Sequence, residues 1–172
     1  MKVGIVGAGG RMGRLLVGLF HEQAGVEVAA ASDRPGSDLI GRDAGELAGV
    51  GAIGVAVGDD AEAVFEASDV AIEFSVPAAT AAHAKLAARH GCAFVVGTTG
   101  LSAEEEGALR EAAESVAIVY APNMSVVVNV FMNLVERVAG ILGPDYDIEI
   151  MEMHHKHKID APSGTAVGLG KA

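Results

Sequence analysis

Apolar residues along this chain follow two alternating rhythms. Lys2–Val6 is a short β-branched run, the pattern of a buried strand. Glycines follow, and then Met12, Leu15, Leu16, Leu19 and Phe20 recur at helical spacing, which predicts one apolar helix face. Residues 26–32 predict the next strand, completing a β-α-β unit whose crossover sets its strands parallel. Further strands are expected over 54–57, 70–74, Ala93–Val96 and 116–120. Helices are expected over 60–67, from Pro77 to His90, and over 102–115, where Ser102-Ala103-Glu104-Glu105 makes a capping box. Strands alternating with helices at this spacing predict an α/β doubly wound domain over 1–125.

The rhythm then changes. Val127, Val130, Phe131, Leu134, Val135, Val138, Ile141 and Leu142 mark a longer apolar helix face, stopped by Gly143-Pro144. Residues 147–154 read as a strand with charges on both faces, and a further helix opens near Thr165. Residues 126–172 are thus expected to begin a second, α+β domain, and the chain to be the N-terminal part of a longer protein.

Composition narrows the function. Half the chain is hydrophobic (51% of 172 residues), enough for a folded core. The net charge of −11 argues against a nucleic-acid or anionic-membrane surface, and 4% aromatics with no Trp leave no stacking platform for bases. Gly and charged residues break the apolar runs before the ~20 residues a membrane span needs, so no membrane is expected. The opening MKVGIVGAGG does not read as a signal peptide. The lone Cys92 excludes an internal disulfide, fits a reducing cytoplasm, and in its apolar stretch reads as packing.

Two stretches carry chemistry. Gly7-Ala8-Gly9-Gly10-Arg11-Met12-Gly13 joins the first strand to the first helix. Glycines there let the backbone approach a pyrophosphate, and the helix start offers free N–H groups. The last glycine comes one position late for G-x-G-x-x-G, but Asp33 stands about 20 residues on, where an acid meets a ribose 2′-hydroxyl. Arg34 beside it suits a 2′-phosphate, so both NADH and NADPH stay open. Other strand ends, at 73–77, Gly97-Thr98-Thr99-Gly100 and 121–124, should line the same sheet edge.

The second stretch is HHKHKIDAPSGTA, residues 154–166. Three of the six histidines and two lysines gather there in an otherwise acidic chain. Histidine titrates near neutrality and lysine supplies a compact positive charge, so the cluster suits an acid that handles an anionic substrate and moves a proton. Either Lys158 or His154 can be that acid. Ser163-Gly164-Thr165, ahead of a helix, offers amides and hydroxyls to a substrate carboxylate. A His-His-x-His zinc site is the competing reading, opposed by the neighbouring lysines and the lack of cysteine, so no metal is assigned.

GAGGRMGR, GTTG with APNMS, and HHKHKIDAPSGTA together resemble the dihydrodipicolinate reductase family over nearly the whole chain. The resemblance implies a Rossmann-like dinucleotide domain, a C-terminal substrate domain and a cytoplasmic homotetramer. It implies NAD(P)H-dependent reduction of 4-hydroxy-tetrahydrodipicolinate, a small dicarboxylate, in diaminopimelate and lysine biosynthesis. By position it assigns Gly7, Ala8, Gly9, Gly10, Arg11 and Met12 to pyrophosphate, and Asp33 and Arg34 to the adenosine ribose. Gly97, Thr98, Thr99, Ala121, Pro122, Asn123 and Met124 would hold the nicotinamide side. His154 and Lys158 match the proton-transfer residues, and His155, Ser163, Gly164 and Thr165 the substrate contacts. Family members run well beyond 172 residues, so the rest of the substrate domain is expected beyond this chain. Two other functions remain in competition: a different dehydrogenase of amino-acid metabolism, and a non-catalytic NAD(P) sensor.

Overall fold

The computed structural model describes residues 1–121, 123–154, 156 and 161–172. It divides into two compact units, Met1–Tyr120 and Ala121–Ala172.

The first unit is a six-stranded parallel sheet: β1 (Lys2–Val6), β2 (Glu27–Ser32), β3 (Val57–Gly58), β4 (Val70–Glu73), β5 (Ala93–Val96) and β6 (Ile118–Tyr120). The order is β3-β2-β1-β4-β5-β6, so the chain winds one way from β1, then returns to start again at β4. The β1/β4 boundary is the switch point where such sheets open a crevice at their carboxyl ends. Helices α1 (Arg11–Glu22) and α2 (Ala44–Ala48) cover one face, and α3 (Ala61–Ala67), α4 (Pro77–His90) and α5 (Ala103–Ala112) the other. Each layer has its own apolar cluster. Val3, Ile5, Val17 and Val28 anchor one; Phe65, Ala84, Ala87, Phe94 and Leu109 anchor the other. The strands are therefore apolar on both sides, as a doubly covered parallel sheet requires. Cys92 is buried in the second cluster, and burial pushes its thiol pKa up.

Four details depart from the pattern reading. The buried stripe of α1 is Gly13 and Val17 with half-buried Leu16 and Phe20, while Leu15 and Leu19 face out. The helix is rotated so that Gly13, which has no side chain, meets the turn. The third strand is only Val57–Gly58, and α2 stands ahead of it unforeseen, because five residues are too few to show a period. Asp43 caps α2 and takes backbone N–H groups from Gly45, Glu46, Ile53 and Gly54, which hold its carboxyl below the usual range, the Ile53 bond foremost. Residues 147–154 form no strand: no described segment pairs with them.

The second unit holds α6 (Val126–Leu142), a 3-10 turn (Gly143–Asp145) and α7 (Gly164–Lys171), with α6 and α7 in contact. Val126, Val130, Phe131, Leu134 and Ile141 of α6 are exposed. With its 3-10 turn this helix, Val126–Asp145, is long and apolar enough to cross a membrane by length and composition, at a mean hydropathy of 1.6. The sequence expectation that no run reaches that length is corrected on this point. Asn129, Asn133, Glu136 and Arg137 interrupt the run without lowering its average enough.

Candidate active site

The turn between β1 and α1 is built where glycine is required. Gly7 has φ +81°, and a Cβ there would sit 2.6 Å from the Phe74 carbonyl oxygen. A Cβ on Gly9 would run into Asp33 Oδ2 and Leu39, so the turn and the acid at the end of β2 lie in contact. A Cβ on Gly13 would strike the Gly7 carbonyl oxygen and stand 2.6 Å from Ala8 Cα. Gly13 thus lets the helix pack on the turn, the role of the third fingerprint glycine, one residue later in sequence. Gly10 is the N-cap of α1 and gives no side-chain cap, and the first turn carries no acid, so the helix start is open to an anion. Arg14 Nε donates to Gly9 O at 2.9 Å and braces the turn.

A crevice of about 330 Å³ opens here, at the carboxyl ends of β1 and β4. Gly7, Gly10, Asp33 and Arg34 line it, opposite Ser75, Val76 and His83 of the β4–α4 side. Asp33 Oδ1 accepts from the Arg34 N–H at 2.7 Å. Arg11 and Met12 are exposed at the start of α1, and Ala8 is buried beneath the turn.

The floor of the crevice includes a feature with no advance signal. Glu73, the last residue of β4, is fully buried. Its Oε1 receives the Ser75 hydroxyl and lies 2.7 Å from His83 Nδ1. A histidine given no role in the sequence thus lines the crevice, pinned by a buried carboxyl group. Gly97 presses against the Phe74 ring, where any side chain would collide. Thr98 is buried and its hydroxyl accepts from the Ser75 N–H at 2.9 Å, so it ties two strand ends together; Thr99 is half-buried beside it.

In the second unit, Ala121 is half-buried and Met124 exposed, while Asn123 works in three directions. Its Oδ1 accepts from the Ser125 N–H (2.8 Å), its carbonyl from Asn129 Nδ2 (2.8 Å), and its Nδ2 donates to Thr165 Oγ1 (3.1 Å). Asn123, the start of α6 and the start of α7 are therefore joined by hydrogen bonds.

At that start, Ser163 is the N-cap: its hydroxyl accepts from the Ala166 N–H at 3.1 Å. Ser163 itself is buried and turned onto Glu152, to which it gives both its N–H (2.7 Å) and its hydroxyl. His154 Nε2 lies 2.8 Å from the same carboxylate. These donors, Ser163 first, hold the Glu152 carboxyl down at about 2. Among the described residues the N–H groups of Gly164 and Thr165 have no partner, as at the first turn of any helix. Pro122, His155 and Lys158 lie outside the described residues, as does His157. No described cluster of His, Cys, Asp and Glu could hold a metal ion.

Sequence reading passed over Glu152 although a signal was present: Glu-x-His in an extended stretch puts both side chains on one side.

Known proteins match this chain along its length. Residues 1–124 match the family described as dihydrodipicolinate reductase, N-terminus, and residues 127–172 its C-terminus. The 4-hydroxy-tetrahydrodipicolinate reductase of Magnetococcus marinus is 55% identical over 172 residues, all of this chain and 64% of the relative. That of Halorhodospira halophila is 52% identical with the same coverage. A dipicolinate-bound dihydrodipicolinate reductase from Paenisporosarcina sp. TG-14 superposes with a TM-score of 0.75 at 26% identity, over 99% of this chain and 64% of that one. The chain thus spans a little under two thirds of the length of these relatives. A glycine turn, an acid after β2 and a His-bearing loop ahead of α7, matched at this identity by both halves of one family, mean that the chain belongs to the dihydrodipicolinate reductase family.

Proposed function

We propose that this chain carries the dinucleotide site and the proton-transfer loop of an NAD(P)H-dependent 4-hydroxy-tetrahydrodipicolinate reductase. The observation that carries the reading is the crevice at the β1/β4 switch. It is lined by Gly7, where a Cβ would strike the Phe74 carbonyl oxygen, and by Gly10, Asp33 and Arg34.

Bound there, reduced nicotinamide supplies a hydride. The backbone N–H groups of the Gly7–Met12 turn and the start of α1 take the pyrophosphate charge. Asp33 accepts from a ribose 2′-hydroxyl, and Arg34 pairs with a 2′-phosphate, so one site serves NADH and NADPH. Gly97, Thr98 and Thr99, with Ala121, Pro122, Asn123 and Met124, border the nicotinamide end. The Gly164 and Thr165 amides hold a substrate carboxylate, His155 assists, and Ser163 shapes that cradle through Glu152 instead of touching substrate. His154 or Lys158 delivers the proton that balances the hydride. Residues 1–125 act as the cofactor domain and 126–172 as the start of the substrate domain.

The setting proposed is the cytoplasm, within diaminopimelate and lysine biosynthesis, as a homotetramer of the longer protein. The test is a coupled assay on full-length protein, fed by dihydrodipicolinate synthase, with NADH and with NADPH. Loss of reduced-nicotinamide absorbance that depends on substrate supports the reading. Tight nucleotide binding with no turnover refutes it in favour of a sensor.

A further inference from the structure

Glu152 and His154 stand two apart in a segment without regular structure, where Met151 and Met153 are 90% exposed. The 2.8 Å contact between Glu152 and His154 puts the carboxylate and the imidazole on one side. The carboxylate reaches across to Ser163, the residue that opens α7, and to the ring. One side chain therefore ties the histidine to the first turn of α7. An ionised carboxylate accepts and does not donate, so the ring nitrogen facing it must carry hydrogen.

We propose that Glu152 is the positioning residue for His154: it fixes the ring with Nε2–H on its carboxylate, so that Nδ1 is the nitrogen that trades a proton with substrate. The inference rests on the functional reading of His154 given above. In the reducing direction the ring begins protonated on both nitrogens. Its Nδ1–H bond breaks as the hydride's electron pair reaches the substrate, the proton bonds to the atom that gains that charge, and the ring is left as the neutral Nε2–H form. Solvent then returns the proton. The adjacent carboxylate stabilises the cationic stage and prevents the ring from turning over.

The test uses full-length protein labelled with 15N-histidine, whose ring shifts report the tautomer, together with steady-state kinetics. Measured at a pH high enough to leave the ring neutral, wild-type His154 should be the Nε2–H tautomer. Glu152→Gln keeps the shape, but its single oxygen takes the Ser163 N–H and its NH₂ then faces His154 Nε2. That nitrogen must accept, so the tautomer should invert to Nδ1–H. With it kcat should fall by about 100-fold, the scale of acid–base catalysis, while KM for NADPH stays unchanged. Ser163→Ala retains the backbone donor and the His154 contact, and should keep the wild-type tautomer. Wild-type His154 found as Nδ1–H overturns the proposal without any variant, even if Glu152→Gln does not fold. So does a Glu152→Gln kcat within about twofold of wild type. Turnover by the wild-type enzyme judges the functional reading separately, since the tautomer is measured without substrate.

Discussion

Replacing Gly13 by alanine tests the glycine turn most sharply, because two effects of opposite sign meet there. Alanine in place of glycine within a helix gains up to about 1 kcal/mol. The added Cβ, however, would lie 2.6 Å from Ala8 Cα and 2.9 Å from Ala8 C, and closer still to the Gly7 carbonyl oxygen. Carbon atoms rest at about 3.5 Å or more, so α1 and the turn must separate by roughly 1 Å. The obstacle is backbone, with no side-chain tip to swing aside. Overpacking of this kind costs about 1–3 kcal/mol, so after the full helix gain the net change should be a loss of up to about 2 kcal/mol. The displaced amides should also weaken NAD(P)H binding by about tenfold or more. Gly18→Ala in the same helix is the control: its Cβ would meet only Val50 Cγ1, at an ordinary 3.6 Å. That variant should be stabilised by about 0.5–1 kcal/mol with unchanged affinity. Urea unfolding and fluorescence titration of NADPH read both quantities. Gly13→Ala as stable and as tightly binding as Gly18→Ala would refute the close-packing argument.

Further outcomes follow from the same geometry. Arg34→Ala should weaken NADPH by about 10- to 100-fold and leave NADH nearly unchanged, whereas Asp33→Ala should mainly weaken NADH; calorimetric titration with each nucleotide decides. Asp43→Ala removes the acceptor of four N–H groups and should lower the urea midpoint, with faster amide exchange at Ile53 and Gly54. Because the Glu152 carboxyl is held down at about 2, against an ordinary value of 4.5, its contribution is complete above about pH 4.5 and fades as pH falls towards 2. Amide exchange at the start of α7 should therefore quicken over that window in wild type, and show no such step in Glu152→Gln.

Much of this was legible in the residues. β1, α4 and β5 stand at the expected bounds, because β-branched runs, Pro77 at a helix start and strand-ending glycines are local signals. The capping box at Ser102 formed for the same reason. What pattern could not show depends on distant partners. The face of α1 was misjudged because its orientation is set by the contact of Gly13 with Gly7 and Ala8. The expected strand at 147–154 has no neighbour to pair with among the described residues. Buried Glu73, with Ser75 and His83, is a cluster drawn from β4, α4 and the turn between them, set by how the helix folds back over the strand end and not by any periodicity. Glu152 was legible in principle as Glu-x-His, but its grip on Ser163 spans 11 positions.

The central claim is the proposal that this chain carries both a pyridine-nucleotide crevice and a loop that supplies the proton of the reduction. Deuterium transfer tests it most directly: full-length protein is given NADPH deuterated at the transferring position of the nicotinamide, with the dihydrodipicolinate synthase product, and the reduced product is weighed. The account predicts one deuterium per product molecule from wild type, and a large loss of that product from His154→Ala or Lys158→Ala with NADPH still bound. Product without the label, or no labelled product from wild type at all, would contradict it.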